Sequence, residues 1–221
     1  MTASQAKTQP TIGMRFMEIL YIPWVDKMIA VIAVIPNAIG LYWRYTDNNL
    51  TFVRAVASIP IFLLIVTMIF RRTPLRVTPN PWFWLLAFVA TYGMFVFSSF
   101  GQAGVALGPT IIPEILAVLS AAIAIYARLS LGRSIGFVPA DRGIITRGAY
   151  RYVRHPIYSA LFVALVALTL RSYTPLNLAA ALTLATLFVI KSIVEEGFLS
   201  EDEQYAEYMK KVRWRWLPGV A

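Results

Sequence analysis

Residues 156–196 read PIYSALFVALVALTLRSYTPLNLAAALTLATLFVIKSIVEE. The run 156–170 holds no charged side chain, and the run 175–194 holds only Lys191. Four residues, 171–174, separate the two runs, which leaves room for a tight reversal and nothing else. The stretch therefore predicts an antiparallel helical hairpin in lipid, where only helices or closed barrels satisfy their own backbone. A helix crossing a bilayer needs about 20 apolar residues. The first arm is short, roughly 23 Å at 1.5 Å per residue.

Four more apolar stretches lie upstream, at 24–45, 52–70, 81–100 and 111–131. Of 221 residues 58% are hydrophobic and 14% charged, with a mean hydropathy of +0.65. Soluble domains run near 45–50% apolar and about 25% charged, so a soluble enzyme is excluded. The expected fold is all-α: a polytopic membrane protein of about six transmembrane helices, five if the short arm does not cross. Residues 1–131 form the N-terminal membrane helices, and 132–221 form a second region made of the hairpin and a cytoplasmic tail.

Lysine and arginine number 20 against 11 acids, a net charge of +9. With six crossings and a cytoplasmic N-terminus, 17 of the 20 cations fall inside and only Arg44, Arg54 and Arg171 outside. That bias follows the positive-inside rule and accounts for the basic balance without nucleic acid. The expected location is the cell inner or plasma membrane, or an endomembrane, with both termini cytoplasmic. Residues 1–10 are polar and lack a signal-peptide core, and read as a cytoplasmic tail. There is no cysteine and one histidine, His155, so no metal site is expected.

Chemistry has to come from the polar stretches 132–155 and 195–221. Arg154, His155 and Pro156 stand where the loop enters the hairpin, with proline suited to the first helical position. His155 is then the N-cap residue, and the free N–H groups of that helix start make an anion site. Arg151 and Arg154 add positive charge, and Tyr158 lies on about the same face as His155. An arginine cluster meeting lipid phosphate explains the same residues equally well. Glu195 and Glu196 end the second arm, where acids oppose the helix dipole, although Lys191 lies one turn earlier and pairs naturally with Glu195. Hairpin topology brings the basic helix start and the carboxylate pair to one membrane face. Such an arrangement suits a zwitterionic ligand of amino-acid type.

Gly148-Ala149-Tyr150-Arg151-Tyr152-Val153-Arg154-His155-Pro156-Ile157-Tyr158, with Glu195-Glu196 about 40 residues later, resembles the isoprenylcysteine carboxyl methyltransferase and phospholipid methyltransferase family of integral membrane enzymes. Tyr205-Ala206-Glu207-Tyr208 and Trp216-Leu217-Pro218 resemble that family's tail. The resemblance implies S-adenosyl-L-methionine as methyl donor, with 132–221 as the methyltransferase region. It further implies that Ile144 and Ile145 line the cofactor, that Tyr150 contacts it, and that Arg154, His155, Pro156, Ile157 and Tyr158 hold its methionine end. Glu195 and Glu196 fall at cofactor positions too. Glu196 and His155 are the expected catalytic residues. Prenylcysteine methyltransferases carry an arginine near the glutamates where this chain has Ser192, next to Lys191. Those two residues are the expected substrate contacts, and a lipophilic small molecule or lipid is the expected acceptor. An NADPH-dependent sterol-type membrane reductase and a non-catalytic lipid-binding membrane adaptor stay open as alternatives.

Overall fold

The computed structural model describes residues 22–46, 51–100 and 103–219. The tail expected at 1–10 lies outside the described residues. Among them seven α-helices follow in order: α1 (Pro23–Thr46), α2 (Phe52–Ile69), α3 (Pro81–Phe100), α4 (Ile111–Leu131), α5 (Pro156–Arg171), α6 (Pro175–Leu199) and the short α7 (Glu203–Lys211). Two strands of two residues each, β1 (Arg76–Val77) and β2 (Ala140–Asp141), pair antiparallel. The fold is all-α and polytopic, as the composition demands.

Four of these helices, α1, α2, α4 and α6, are long and apolar enough to cross a membrane. α5 has 16 residues, roughly 24 Å of helix, and is the short arm of the hairpin. Outward faces are greasy: Ile32 is 60% exposed, Phe62 56% and Leu182 60%. Only lipid makes such surfaces tolerable.

The helix ends are set by local chemistry. Thr51 caps α2 by accepting from the Arg54 N–H at 3.3 Å, and Thr174 caps α6 by accepting from Asn177 at 2.9 Å. Asp202 caps α7, accepting from Gln204 and Tyr205, while Lys210 and Lys211 close its last turn. Such side-chain acceptors satisfy N–H groups that the first helical turn leaves free.

α4 and α5 approach closely because the facing residues are small. Ala121, Ala124 and Ala127 of α4 and Ala160 and Ala167 of α5 are all buried, and the Ser120 hydroxyl donates to the Ala160 carbonyl at 2.8 Å. Small side chains let backbones pack where no hydrophobic force acts between helices in lipid.

The elements close on one another at one end of the bundle. Asp26, at the start of α1, accepts from Arg71 beyond α2 at 2.6 Å and from Arg142 beyond α4 at 3.0 Å. All three are buried. Burial and the neighbouring Arg142 pull the Arg71 guanidinium below its ordinary value, and Asp26 counters them. β1 pairs with β2 at the same end, and Arg76 donates to Glu201. At the opposite end, Leu107 donates to the Leu170 carbonyl at 2.8 Å and Val105 pairs with Tyr173. Successive long helices therefore run in alternate directions, and the starts of α1, α3 and α5 share an end with the finishes of α2, α4 and α6.

Candidate active site

His155 holds the N-cap position of α5 with Pro156 directly after it, but its ring caps nothing. The ring turns instead toward α6, where Nε2 lies 3.0 Å from Glu196 Oε1. The backbone at this helix start is covered by the chain beyond α7. Arg154 N–H donates to the Trp214 carbonyl at 2.9 Å and His155 N–H to the Arg215 carbonyl at 2.8 Å. The N–H groups of Tyr158 and Ser159 both donate to the His155 carbonyl, and the Ser159 hydroxyl donates to the Trp216 carbonyl. A strap of residues 212–216 thus takes the N–H groups of Arg154 and His155 at the helix start expected from the loop sequence to be an open anion site.

Glu196 is the hub of this closure. It is 3% exposed, and its carboxylate accepts from Arg154 Nε at 2.7 Å, from His155, and from Arg215 Nη2 at 2.8 Å. Arg154 also donates to the carbonyls of Val212 and Arg213. Three separate pieces of chain meet on one buried carboxylate. Cation partners and hydrogen bonds on every side are the condition for holding such a charge away from water.

Glu195 has other neighbours. Its Oε2 accepts from the Tyr158 hydroxyl at 2.7 Å, and Lys191 Nζ lies 3.7 Å from its Oε1. His155 Nδ1 is 3.9 Å from Glu195 Oε2, beyond hydrogen-bond length. The His155 and Tyr158 rings stack with centroids 5.2 Å apart, and the Lys191 ammonium stands 5.5 Å over the Tyr158 ring. Tyr150 arrives from a tight turn that opens at Gly148, whose φ of +62° favours glycine. A β-carbon there would collide with Ser130, whose hydroxyl accepts from the Ala149 N–H at 3.0 Å. The Tyr208 hydroxyl donates to the Tyr150 carbonyl at 2.6 Å. Burial pushes the phenols of Tyr150, Tyr205 and Tyr208 well up, so all three stay protonated donors at neutral pH.

A cavity of about 440 Å³ adjoins this cluster, within the usual range for a small-molecule site. Arg128, Tyr150, Arg154, His155, Tyr158, Lys191 and Glu195 line its polar end, with Tyr205 and Tyr208 from α7. Ile144, Ile145 and Ile157 add apolar wall beside them. From there the cavity runs into the bundle along Ala117, Ala121 and Ala124 of α4 and Ala160, Ala164 and Leu168 of α5, bordered by Pro60 of α2 and Met94 of α3.

The structure thus gathers Ile144, Ile145, Tyr150, Arg154, His155, Ile157, Tyr158, Lys191 and Glu195 around one space. Pro156, Ser192 and Glu196 are not part of its wall. Ser192 is fully buried, and its hydroxyl donates to the Val189 carbonyl at 2.7 Å within its own helix. Arg128 is a wall residue that the loop motifs could not reveal. Its signal is its place one turn after Ala124 and two turns after Ala121, on the small-residue face of α4.

Among the described residues no group of acidic or imidazole side chains is arranged to hold a metal. No curated protein matches the chain. Residues 109–207, a little under half of the chain, match the family model described as phospholipid methyltransferase. The match opens just before α4 and closes within α7, so it takes in Arg128, both arms of the hairpin, the 148–158 motif and Glu195-Glu196, while Tyr208 and Trp216-Leu217-Pro218 lie beyond it. The segment that builds most of the cavity's polar end is therefore similar to phospholipid methyltransferases.

Proposed function

We propose that the protein is an integral membrane methyltransferase that uses S-adenosyl-L-methionine to methylate a lipophilic small molecule or lipid taken from the bilayer. One observation carries this reading: a single cavity joins a cluster of ionic and phenolic groups at a membrane face to an apolar slot inside the helical bundle. A water-soluble donor suits the first end and a lipid-soluble acceptor the second.

The residues present fit the donor. Glu195, with Tyr158 and Lys191 beside it, offers charge of both signs to an amino-acid end, and Ile144 and Ile145 offer a dry surface to a purine. When bound, S-adenosyl-L-methionine supplies a methyl group on a sulfonium, which an acceptor takes by in-line displacement. The protein's part is alignment and exclusion of water, worth on the order of 7–11 kcal/mol in favourable cases. His155 and Glu195 face the cavity and are the groups that take a proton from an amine or hydroxyl acceptor; a carboxylate acceptor needs none. Glu196 acts through others. It fixes the His155 ring by its contact with Nε2 and holds Arg154 in place, which makes it a positioning residue.

The charge bias of the sequence supports a cytoplasmic side for the ionic end of the cavity and for both termini. The test is thermal unfolding of the detergent-purified protein with S-adenosylhomocysteine, with NADPH, and with neither. The product analogue is expected to raise the unfolding temperature, corresponding to about 2.7 kcal/mol at a hundredfold excess over its Kd. Stabilisation by NADPH alone would favour a membrane reductase, and a response to neither would favour an adaptor. Radiolabelled donor with fractionated lipid extracts then identifies the acceptor.

A further inference from the structure

Charges at the polar end of the cavity pair off, with one exception. Arg154 is held by Glu196 at 2.7 Å, Lys191 lies 3.7 Å from Glu195, and Arg142, farther along the wall, is held by Asp26 at 3.0 Å. Arg128 has no hydrogen-bond acceptor and no carboxylate among the described residues, and its buried Nε is without a partner. It lines the cavity beside the Tyr150 phenol, which its charge eases toward ionisation against the larger effect of burial.

The bland account of an arginine near the end of a membrane helix is snorkelling, in which the side chain reaches outward to lipid headgroups. The helix geometry argues against it. The lipid-facing side of this part of α4 is marked by Tyr126 and Leu129, 52% and 63% exposed. Arg128 continues the opposite face, one turn from Ala124 at the α5 contact. A guanidinium kept inside without an acceptor is costly, and the cost is removed when an anion arrives. Most backbone N–H groups around the start of α5, those of Arg154, His155, Tyr158 and Ser159, are already engaged by the strap or the His155 carbonyl.

We propose that Arg128 is the oxyanion receptor of the cavity, binding either the carboxylate of the methyl donor or the acidic group of a lipid acceptor. The inference rests on the methyltransferase reading for the identity of the donor, but not for the presence of an anion. A carboxylate or phosphate presents two oxygens to the planar fork of the guanidinium, a fit that lysine does not reproduce.

The experiment uses purified full-length wild type, R128K and R128M with two pairs of probes, read by calorimetry. S-adenosylhomocysteine is compared with methylthioadenosine, which lacks the amino-acid end. Lysophosphatidic acid is compared with the neutral monoacylglycerol of the same chain. R128M is expected to weaken one acidic probe by roughly 10- to 150-fold, with its neutral counterpart unchanged. The probe affected names the source of the anion, and R128K should keep part of the affinity. Without ligand, R128M should unfold no earlier than wild type, because it removes a charge that has no partner. Unchanged affinity of R128M for both acidic probes overturns the proposal. So does an equal loss for acidic and neutral probes with a lower unfolding temperature, which would mark a structural role. A wild type that ignores S-adenosylhomocysteine yet binds lysophosphatidic acid through Arg128 sinks the donor assignment and leaves the receptor standing, while one that binds neither acidic probe sinks the receptor.

Discussion

Glu195 and Glu196 are neighbours in sequence, yet a step of about 100° around the helix gives them different surroundings. Glu195 turns to the cavity, with Tyr158 and Lys191. Glu196 turns to Arg154, His155 and Arg215 and is nearly sealed from solvent. The two should therefore fail differently when neutralised. Glu196→Gln leaves Arg154 and Arg215 without a counter-charge in a buried setting, a loss on the order of 3–5 kcal/mol. It should lower the unfolding temperature in detergent and weaken donor binding as a consequence. Glu195→Gln keeps an acceptor for the Tyr158 hydroxyl, so its stability should fall less while its affinity for S-adenosylhomocysteine falls at least as far. Unfolding curves and calorimetry on the pair decide the matter, and equal stability in both variants would contradict the division of roles.

Between single residues and the whole bundle, the element that controls the site is the strap at 212–216. Its carbonyls accept from Arg154, His155 and Ser159, and its Arg215 grips Glu196. Each net hydrogen bond contributes about 0.5–1.5 kcal/mol, so together they hold the start of α5 by several kcal/mol. A chain ended after Lys211 should retain its helical circular dichroism, lose cooperative unfolding of the hairpin, and bind S-adenosylhomocysteine weakly or not at all. Full affinity in that truncation would show the strap to be dispensable. The strap also marks where sequence reading stops. Apolar stretches announce α1 to α6, because lipid forces length and composition on them, and the short loop at 171–174 dictates the hairpin. Arg154, His155 and the paired glutamates stand out because they are charged residues at apolar boundaries. A strap that binds through backbone carbonyls leaves no side-chain pattern, and it takes N–H groups beside a helix start expected to be open. Arg128 looked like one more inside charge, because only the packing of α4 on α5 reveals which side of the helix it occupies.

At the scale of the whole molecule the decisive feature is the depth of the cavity. Along α5 its wall runs from Ile157 to Arg171, which at 1.5 Å per residue is roughly 21 Å, much of the hydrocarbon thickness. A volume of about 440 Å³ spread over that length makes a slot, not a chamber. Its wall beyond the ionic end is mostly apolar, with alanines, Pro60, Met94, Phe95 and Leu168 interrupted by Asn37, Thr91 and Ser120, and it suits a hydrocarbon chain. Donor and acceptor should therefore be separable by depth. Ala164 lies seven residues beyond Ile157, about 10 Å down the slot, and is only half-buried. Ala164→Phe should fill the slot there without touching Glu195, Tyr158 or Tyr150. Affinity for S-adenosylhomocysteine should stay at the wild-type value, since no polar contact changes. Methyl transfer to a long-chain acceptor should fall by an order of magnitude or more, because a misplacement of even about 1 Å at the reacting atoms costs that much. A short-chain acceptor should suffer less, since its tail ends above the blockage. Turnover by the variant that is independent of chain length would mean that the acceptor enters from elsewhere, and that the slot has no part in binding it.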